Sequence, residues 1–326
     1  MHTGIYFDLR NPPRWATDPA RLYAFTLEMC AEADALGCHS IWVSEHHGFD
    51  DGYLPQPLTM SAAIAARTRR ARIGTAIMIA PLHHPVAIAE QAAIVDLVSG
   101  GRLELGLGAG YRIPEFDLFG ADIDQRYAET DGRVLELRRL WGSDRITPAP
   151  LQQRVPIWLG YQGPRGARRA GVLGEGLLSV DTALWPTYRD ALAEGGHPPS
   201  SARMAGGLSA WVSEDPEADW PVVSEHLAEQ MNSYRRYMVE GTDQPVPRPV
   251  DPERMRNEDP AKGSLRSFML GTPEELASRI HASVGDAPVE TVFLWASIAG
   301  MSEDMVAAHV RTICTRLAPL LAADAS

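Results

Sequence analysis

Short apolar strand patterns alternate with amphipathic helix patterns along most of this 326-residue chain, and this alternation constrains the fold more than any other feature. Each strand pattern is a brief apolar run, and each helix pattern repeats its apolar residues every three to four positions. Strands separated by helices pair in parallel. The strand patterns occupy residues 5–8, 39–44, 72–79, 102–107, 156–159, 176–180, 204–212 and 291–295.

About eight strand–helix pairs with no linker between them predict one (β/α)₈ barrel spanning residues 1–326. A doubly wound parallel sheet is the alternative. Gly106, Gly108 and Gly110 weaken it, because they lack the G-x-G-x-x-G spacing of a dinucleotide-binding fold. Residues 241–263 are rich in proline and charge and poor in apolar side chains, so we expect a mobile lid or a disordered loop inserted into the barrel.

Composition excludes several classes of function. The formal net charge of −12 would repel nucleic acid and anionic membranes. The apolar run at 73–82 is about half the length of a membrane span, and residues 1–10 lack the pattern of a signal peptide. The three cysteines, at positions 30, 38 and 314, do not have the spacing of a disulfide framework or a zinc site. A protein of the reducing cytoplasm is therefore expected.

The segment from Ile41 to His47 joins an apolar strand to the polar residues Glu45, His46 and His47. Chemistry in this class of barrel collects at the C-terminal ends of the strands. An imidazole titrates near neutral pH, so His46 is the candidate acid, base or hydrogen-bond donor, with Glu45 beside it. The structural alternative is one histidine bonded to backbone and the other in solvent.

Two further histidines follow the third strand, but metal binding is not predicted. His83 and His84 lie just before a helix that begins at Pro85, where either could cap the helix. The Glu45-His46-His47 segment also lacks the i, i+4 spacing of ligands on a metalloprotease helix.

Glycines cluster after the fourth and fifth strands, where a backbone without Cβ atoms can approach a flat ring or a phosphate. Gly108 lies in the first cluster, and Gly160 and Gly163 precede a helix N-terminus, which favours anions. Arg126 and Arg165 are candidate phosphate partners. The alternative is ordinary turns and solvated surface arginines.

Eight segments share an order and spacing known from one enzyme family, and they lie densely in the first half of the chain: 42–47, 74–85, 89–91, 97–102, 106–111, 115–120, 156–160 and 271–275. On these segments the chain resembles the bacterial luciferase-like flavin monooxygenases. The resemblance implies a (β/α)₈ barrel with a flavin at its C-terminal mouth and a homodimer formed through early helices.

The resemblance also assigns roles. It places His46 near the reactive edge of the flavin, and a non-proline cis peptide at Ala76–Ile77 under the ring. Tyr111 belongs to the matching loop that begins at Gly108, the position where bacterial luciferase carries a cysteine.

The family's phosphate region corresponds to Arg126 and to the loop that contains Gly160, Gly163 and Arg165. Ala109 replaces an arginine that some members carry, which leaves Arg126 or Arg165 to neutralise the phosphate.

The implied function is a two-component monooxygenase. Reduced FMN from a separate reductase would react with O₂ to form a C4a-peroxyflavin and oxygenate a small organic substrate by hydroxylation or Baeyer–Villiger insertion. Hydride transfer with the deazaflavin F420 on the same barrel is the alternative. A relative without catalysis, acting as a binding or dimer partner, is a third possibility, which the intact Glu45-His46-His47 segment disfavours. Four aromatic residues could line the pocket or lie in the core: Phe7, Trp42, Tyr111 and Trp295.

Overall fold

The computed structural model of the chain, which describes residues 1–253 and 268–323, contains a closed barrel of parallel strands. Its strands are β1 (His2–Phe7), β2 (Ser40–Val43), β3 (Arg72–Thr75), β4 (Met78–Ile79), β5 (Leu103–Gly108), β6 (Ile157–Leu159), β7 (Gly176–Leu178), β8 (Met204–Leu208) and β11 (Val289–Trp295). Their order is β3-β2-β1-β11-β8-β7-β6-β5-β4, and pairing between β3 and β5 closes the ring. The predicted (β/α)₈ barrel is confirmed.

The helices follow the strands as the alternation predicted. They are α1 (Pro19–Ala35), α2 (Pro57–Arg67), α3 (Pro85–Ser99), α4 (Ile113–Phe119), α5 (Arg126–Trp141), α6 (Gly163–Leu173), α7 (Trp185–Glu194), α8 (Pro216–Val239), α9 (Pro273–Val284), α10 (Glu303–Thr312) and α11 (Ala318–Ala323). A π-helical turn over Ile313–Leu317 joins α10 to α11. Among the described residues, no helix combines the length and apolarity needed to cross a lipid bilayer.

Two strands predicted as continuous are divided. The predicted strand 72–79 is interrupted at Ala76 and Ile77, which separate β3 from β4. Strand β3 pairs with β2 and β5, and strand β4 pairs with β5. The predicted strand 204–212 breaks at Ser209. There the chain leaves the barrel and forms β9 (Ala210–Val212), which pairs with β10 (Met269–Gly271) in a separate two-stranded sheet. Both segments are largely apolar, and such a pattern does not distinguish one continuous strand from two.

Large aromatic side chains fill the barrel interior because glycines on neighbouring strands leave room for them. A Cβ added to Gly74 would lie 2.1 Å from the Trp42 ring, and one added to Gly176 would lie 2.4 Å from the Trp158 ring. Both tryptophans are buried and cluster with Phe293. The interior is therefore packed, and an open site is confined to the barrel ends.

The seam between β3 and β5 leads to a stability prediction at Gly106. A Cβ there would lie 1.8 Å from the backbone oxygen of Thr75, whose hydroxyl also bonds both backbone groups of Gly106. Because backbone cannot yield as a side-chain tip can, we expect Gly106→Ala to lower the free energy of unfolding by about 1–3 kcal/mol, measured by urea denaturation. The control is Gly132→Ala in α5, where the added Cβ would have no neighbour within 4 Å. This substitution should raise the free energy of unfolding by about 0.5–1 kcal/mol. Equal effects at both positions would contradict this account.

The predicted lid at 241–263 is described only in part. Residues 241–253 are mainly irregular, and Val250 exchanges backbone bonds with the side chain of Asn232 on α8. Residues 254–263 lie outside the described residues, so the lid remains a prediction.

Candidate active site

A cavity of about 380 Å³ opens at the C-terminal end of the barrel strands. The sequence-predicted residues that line it are Glu45, His46, Ala76, Ile77, Gly108, Tyr111 and Gly160. The other three predicted site residues, Gly163, Arg126 and Arg165, are not part of its lining. The loops after β2, β3, β5 and β6 therefore meet at one cavity, as the barrel topology predicted.

His46 is held in a defined orientation on the cavity wall. Its Nδ1 lies 2.8 Å from the Glu115 carboxylate, and its Nε2 lies 3.4 Å from the Tyr111 hydroxyl. The ring stacks on Phe49 with centroids 4.5 Å apart. A carboxylate accepts hydrogen bonds, so Nδ1 carries the proton and the Nε2 lone pair is available in the cavity.

Glu115, which fixes this tautomer, was not predicted as a site residue. Its side chain is fully buried at the start of α4, where the same Oε1 also accepts the backbone N–H of His47 at 2.8 Å. Its Oε2 is buried and has no hydrogen-bond partner among the described residues. Glu115 follows His46 by 69 positions, so no local spacing in the sequence reveals the pair.

Glu45 lies against the same cavity but does not bond to His46. Its Oε1 is 2.7 Å from Nε2 of His47 and 2.6 Å from Nε2 of His83, and its Oε2 accepts the backbone N–H of Ile79 at 2.5 Å. Burial raises the pKa of Glu45, but the bonds from both histidines, the attraction to His83 and the Ile79 bond outweigh burial and lower it. Glu45 thus connects the loop after β2 to the segment that begins at β4. We call Glu45 with its partners His47, His83 and the Ile79 N–H the Glu45 hub.

The Glu45 hub also has the composition of a metal site. The carboxylate and the two imidazole nitrogens of His47 and His83 lie within 4.8 Å of one another. The hydrogen bonds between these groups account for their positions without an ion.

A cluster of hydroxyl groups also lines the cavity. Tyr6 and Ser44 oxygens are 2.5 Å apart, Ser44 and Tyr53 oxygens are 2.5 Å apart, and Tyr53 and Tyr234 oxygens are 3.2 Å apart. Burial raises the pKa of Tyr6 and of Tyr53, so both phenols remain protonated hydrogen-bond donors. Tyr234 lies on α8, far along the chain, and its position in the sequence did not point to the site.

Ile77 forms the cavity floor between two glycines. A Cβ on Gly108 would lie 2.7 Å from the Ile77 side chain, and one on Gly160 would lie 2.5 Å from it. The peptide bond between Ala76 and Ile77 is cis, which confirms the bond expected from the resemblance. Larger residues at either glycine would displace Ile77, so these glycines shape an apolar wall suited to a flat ring.

Helix α6 begins beside this wall. It starts at Gly163, which the sequence analysis placed just before the helix, and the Gln162 side chain does not cap it. Gln162 lines the cavity, so the uncapped N–H groups of the first helical turn lie close to the cavity, in a position suited to an anion.

The two predicted phosphate partners are placed differently. Arg126 lies over the ring of Tyr127, which lines the cavity, at 4.8 Å. Its buried Nε has no hydrogen-bond partner in the part of the chain that is described. Arg165 is exposed on the first turn of α6. Binding of a phosphate by either arginine remains a prediction.

Of the four aromatic residues considered for the pocket lining, one lines the active-site cavity and three lie elsewhere. Tyr111 lines the cavity, whereas Trp42 lies in the barrel interior and Trp295 packs beside Tyr6 with centroids 6.3 Å apart. Phe7 is buried and lines a second cavity.

Comparison with known proteins adds to this geometry. The profile of the family described as luciferase-like monooxygenase matches residues 1–291. The oxygenase component of flavin-dependent trigonelline monooxygenase from Acinetobacter baylyi is 32% identical over 163 residues, 44% of this chain and 44% of that protein. F420-dependent glucose-6-phosphate dehydrogenase from Amycolatopsis mediterranei is 29% identical over 187 residues, 51% of this chain and 56% of that protein. The chain therefore spans about half the length of these two relatives.

A solved structure shares the whole fold. The crystal structure of monooxygenase RslO1 from Streptomyces bottropensis has a TM-score of 0.79 to this chain, at 24% identity. The similarity covers 98% of this chain and 99% of that one. This likeness shows a common architecture.

Proposed function

This chain belongs to the luciferase-like monooxygenase family, and from that membership we propose that it is an oxidoreductase, the oxygenase component of a two-component flavin system. In this proposal it uses reduced FMN, delivered by a separate reductase, and O₂ to oxygenate a small organic substrate. The name of its relative from Acinetobacter, the oxygenase component of a flavin-dependent monooxygenase, supports this assignment.

The observation that carries the proposal is the orientation of His46. Glu115 holds its Nδ1 proton at 2.8 Å, so Nε2 can accept a proton from a group bound in the cavity. The Tyr111 hydroxyl lies 3.4 Å from Nε2 and can hydrogen-bond to it in either protonation state of the imidazole. The side chain of His46 is 10% exposed, which limits exchange of the proton with bulk water.

The cavity fits a flavin in shape and chemistry. Ile77, flanked by Gly108 and Gly160, would support the apolar face of the ring. The uncapped N-terminus of α6, with Arg126 or Arg165, would hold the phosphate. Bound reduced FMN supplies the electrons that activate O₂, while the protein positions the reactants and excludes water.

The hydroxyl cluster supplies the polar side of the substrate site in this proposal. Tyr53 and Tyr234 line the cavity and can donate hydrogen bonds to an oxygen on the substrate. The class of reaction, hydroxylation or Baeyer–Villiger insertion, then depends on which substrate carbon these bonds present to the flavin.

A second candidate function is F420-dependent hydride transfer on the same barrel. The 29% identity to an F420-dependent dehydrogenase over 187 residues favours it, and it uses the same His46 as a proton acceptor. The two functions differ in their response to O₂, since the deazaflavin does not carry out oxygen chemistry.

An anaerobic titration separates the two functions. We expect reduced FMN to bind more tightly than reduced F420, measured by fluorescence quenching. We also expect a protein-dependent transient absorbance change when the FMN complex is mixed with air. Preference for F420 without an oxygen-dependent transient would replace the monooxygenase with hydride transfer. Binding of neither cofactor would contradict both functions.

The proposal also includes the oligomeric state, the partner protein and the cellular location. A homodimer, a partner reductase and a lid over 241–263 are part of this proposal. A cytoplasmic location is also proposed, and the three buried, unpaired cysteines are compatible with a reducing compartment.

A further inference from the structure

A second cavity of about 420 Å³ lies outside the candidate active site, between the end of β1, helix α1, helix α8 and the start of α10. Its walls are mainly apolar and include Phe7, Leu22, Phe25, Met305 and Val306. A volume of several hundred cubic ångströms and a mostly apolar lining are typical of small-molecule sites.

Arg10 separates this cavity from the active site. It lines the second cavity, and its guanidinium lies 4.7 Å from the Tyr53 ring and 4.0 Å from the Tyr234 ring, both of which line the first. Asp8 and Asp51 pair with this guanidinium at 3.1 and 3.3 Å. The charge of Arg10 is thus balanced inside the protein, so it does not call for an anionic ligand.

The other charged group in the lining is also paired. Glu303 accepts two hydrogen bonds from Arg21, at 2.8 and 2.5 Å, on the outer side of the cavity. With its charged side chains paired, the cavity suits a neutral ligand, because an ion would lose its hydration without gaining a partner.

His226 provides an unpaired polar atom in this lining. The residue is 6% exposed, and its Nδ1 lies 2.8 Å from the carbonyl oxygen of Ala299. A carbonyl only accepts, so Nδ1 carries the proton and Nε2 presents a lone pair. Burial lowers the pKa of His226, which keeps the ring neutral.

The imidazole is also fixed in place. Trp15 packs against it with ring centroids 4.1 Å apart. Within residues 1–253 and 268–323, Nε2 of His226 has no hydrogen-bond partner. On the wall of this cavity, such an acceptor is free to take a hydrogen bond from a ligand or from water.

From these contacts we propose that the second cavity is a binding site for a neutral, largely apolar alcohol whose hydroxyl group donates a hydrogen bond to Nε2 of His226. Three observations carry this proposal: the mainly apolar lining, the ion-paired charges of Arg10 and Glu303, and the oriented acceptor of His226. The site is independent of the flavin chemistry, so its test does not depend on the proposed function.

Isothermal titration calorimetry with two isomers tests this site. Hexan-1-ol and 1-methoxypentane have the same atoms, but only the alcohol can donate a hydrogen bond. We expect the wild-type chain to bind the alcohol about 3- to 10-fold more tightly than the ether, the ratio that one net hydrogen bond supplies. His226→Phe keeps an aromatic ring against Trp15 and should make the two affinities equal.

A variant that fills the second cavity tests whether the alcohol binds there. Val222 lines the cavity and is 43% exposed on α8, so Val222→Trp can fill the space without overpacking the core. We expect it to weaken alcohol binding at least 10-fold. Met238→Trp is the matched control, because Met238 is 61% exposed on the same helix and does not line the cavity.

Three results would overturn the proposal. They are the absence of alcohol binding to the wild-type chain, equal affinity of that chain for alcohol and ether, and unchanged alcohol binding by Val222→Trp. Thermal unfolding of each variant shows whether it is folded. If one variant does not fold, the other and the comparison of isomers still decide the question.

Discussion

Replacement of His46 by alanine is expected to lower turnover by about 10²- to 10⁴-fold, the range attributed to a positioned general acid or base. The variant loses the one imidazole that Glu115 orients toward the cavity and that Tyr111 approaches at 3.4 Å. The measurement is steady-state turnover with reduced FMN, O₂ and an organic substrate found by screening. Cofactor affinity is measured separately, by anaerobic titration.

The control for this substitution is another histidine of the same chain. His84 is exposed, and its Nδ1 accepts the backbone N–H of Val86 at the start of α3. His84→Asn preserves that capping bond and should leave turnover unchanged. If His46→Ala kept more than a tenth of the wild-type turnover, or if both variants lost activity equally, a proton-transfer role for His46 would be wrong.

A substitution at Glu115 should have a smaller effect on turnover than the loss of His46. Glu115→Gln keeps an oxygen for the Nδ1 proton of His46 but removes the negative charge that stabilises a protonated ring. We expect turnover between that of the wild type and His46→Ala, with the acidic limb of the pH profile displaced toward lower pH, because a weaker base stays unprotonated to lower pH. A purely structural role for Glu115 would change stability without displacing the profile.

The fold was predictable because its signals are local: the spacing of apolar residues along each segment, and the residues that begin and end each helix. The Pro57–Arg67 and Arg126–Trp141 helices lie between predicted strands, as the alternation requires, and Thr272 and Glu275 form both bonds of a capping box at the start of α9. The predicted strand 72–79 failed at Ala76–Ile77 because an apolar run has the same pattern whether or not its backbone pairing is continuous.

The site was predictable only where it lies at strand ends. His46 and Gly108 follow directly from strand patterns, and the barrel then brings them together. Glu115 on α4 orients His46 from 69 positions away, and Tyr234 on α8 lines the cavity and contacts Tyr53 from 181 positions away. Such contacts depend on tertiary packing, which no short motif encodes.

Glu45 was paired with His46 in the sequence-based interpretation as a second catalytic group. In the structure both of its oxygens are used by His47, His83 and the backbone of Ile79. We therefore propose that Glu45 acts on the site through these neighbours. That role makes a different prediction, in stability rather than in proton transfer.

Glu45→Ala is expected to lower the free energy of unfolding at pH 7 by about 3–5 kcal/mol, because it leaves the donors of His47, His83 and the Ile79 backbone without their shared acceptor. The carboxyl is fully buried, and its pKa is lowered below the ordinary 4.5 by its hydrogen bonds and its attraction to His83, which outweigh burial. A lowered folded-state pKa stabilises at pH above the unfolded value, and this stabilisation is lost as the pH falls through the folded-state pKa.

Urea denaturation at several pH values therefore distinguishes a charged hub from simple loss of packing. The difference between wild type and Glu45→Ala should be full at pH 7 and shrink below about pH 4, where protonation weakens the wild-type hub as well. Glu136→Ala, which removes a carboxylate from an exposed pair with Arg139, should not change stability measurably at either pH. A difference that stays constant from pH 7 to pH 3 would show that Glu45 contributes through its volume, since lost packing does not depend on protonation.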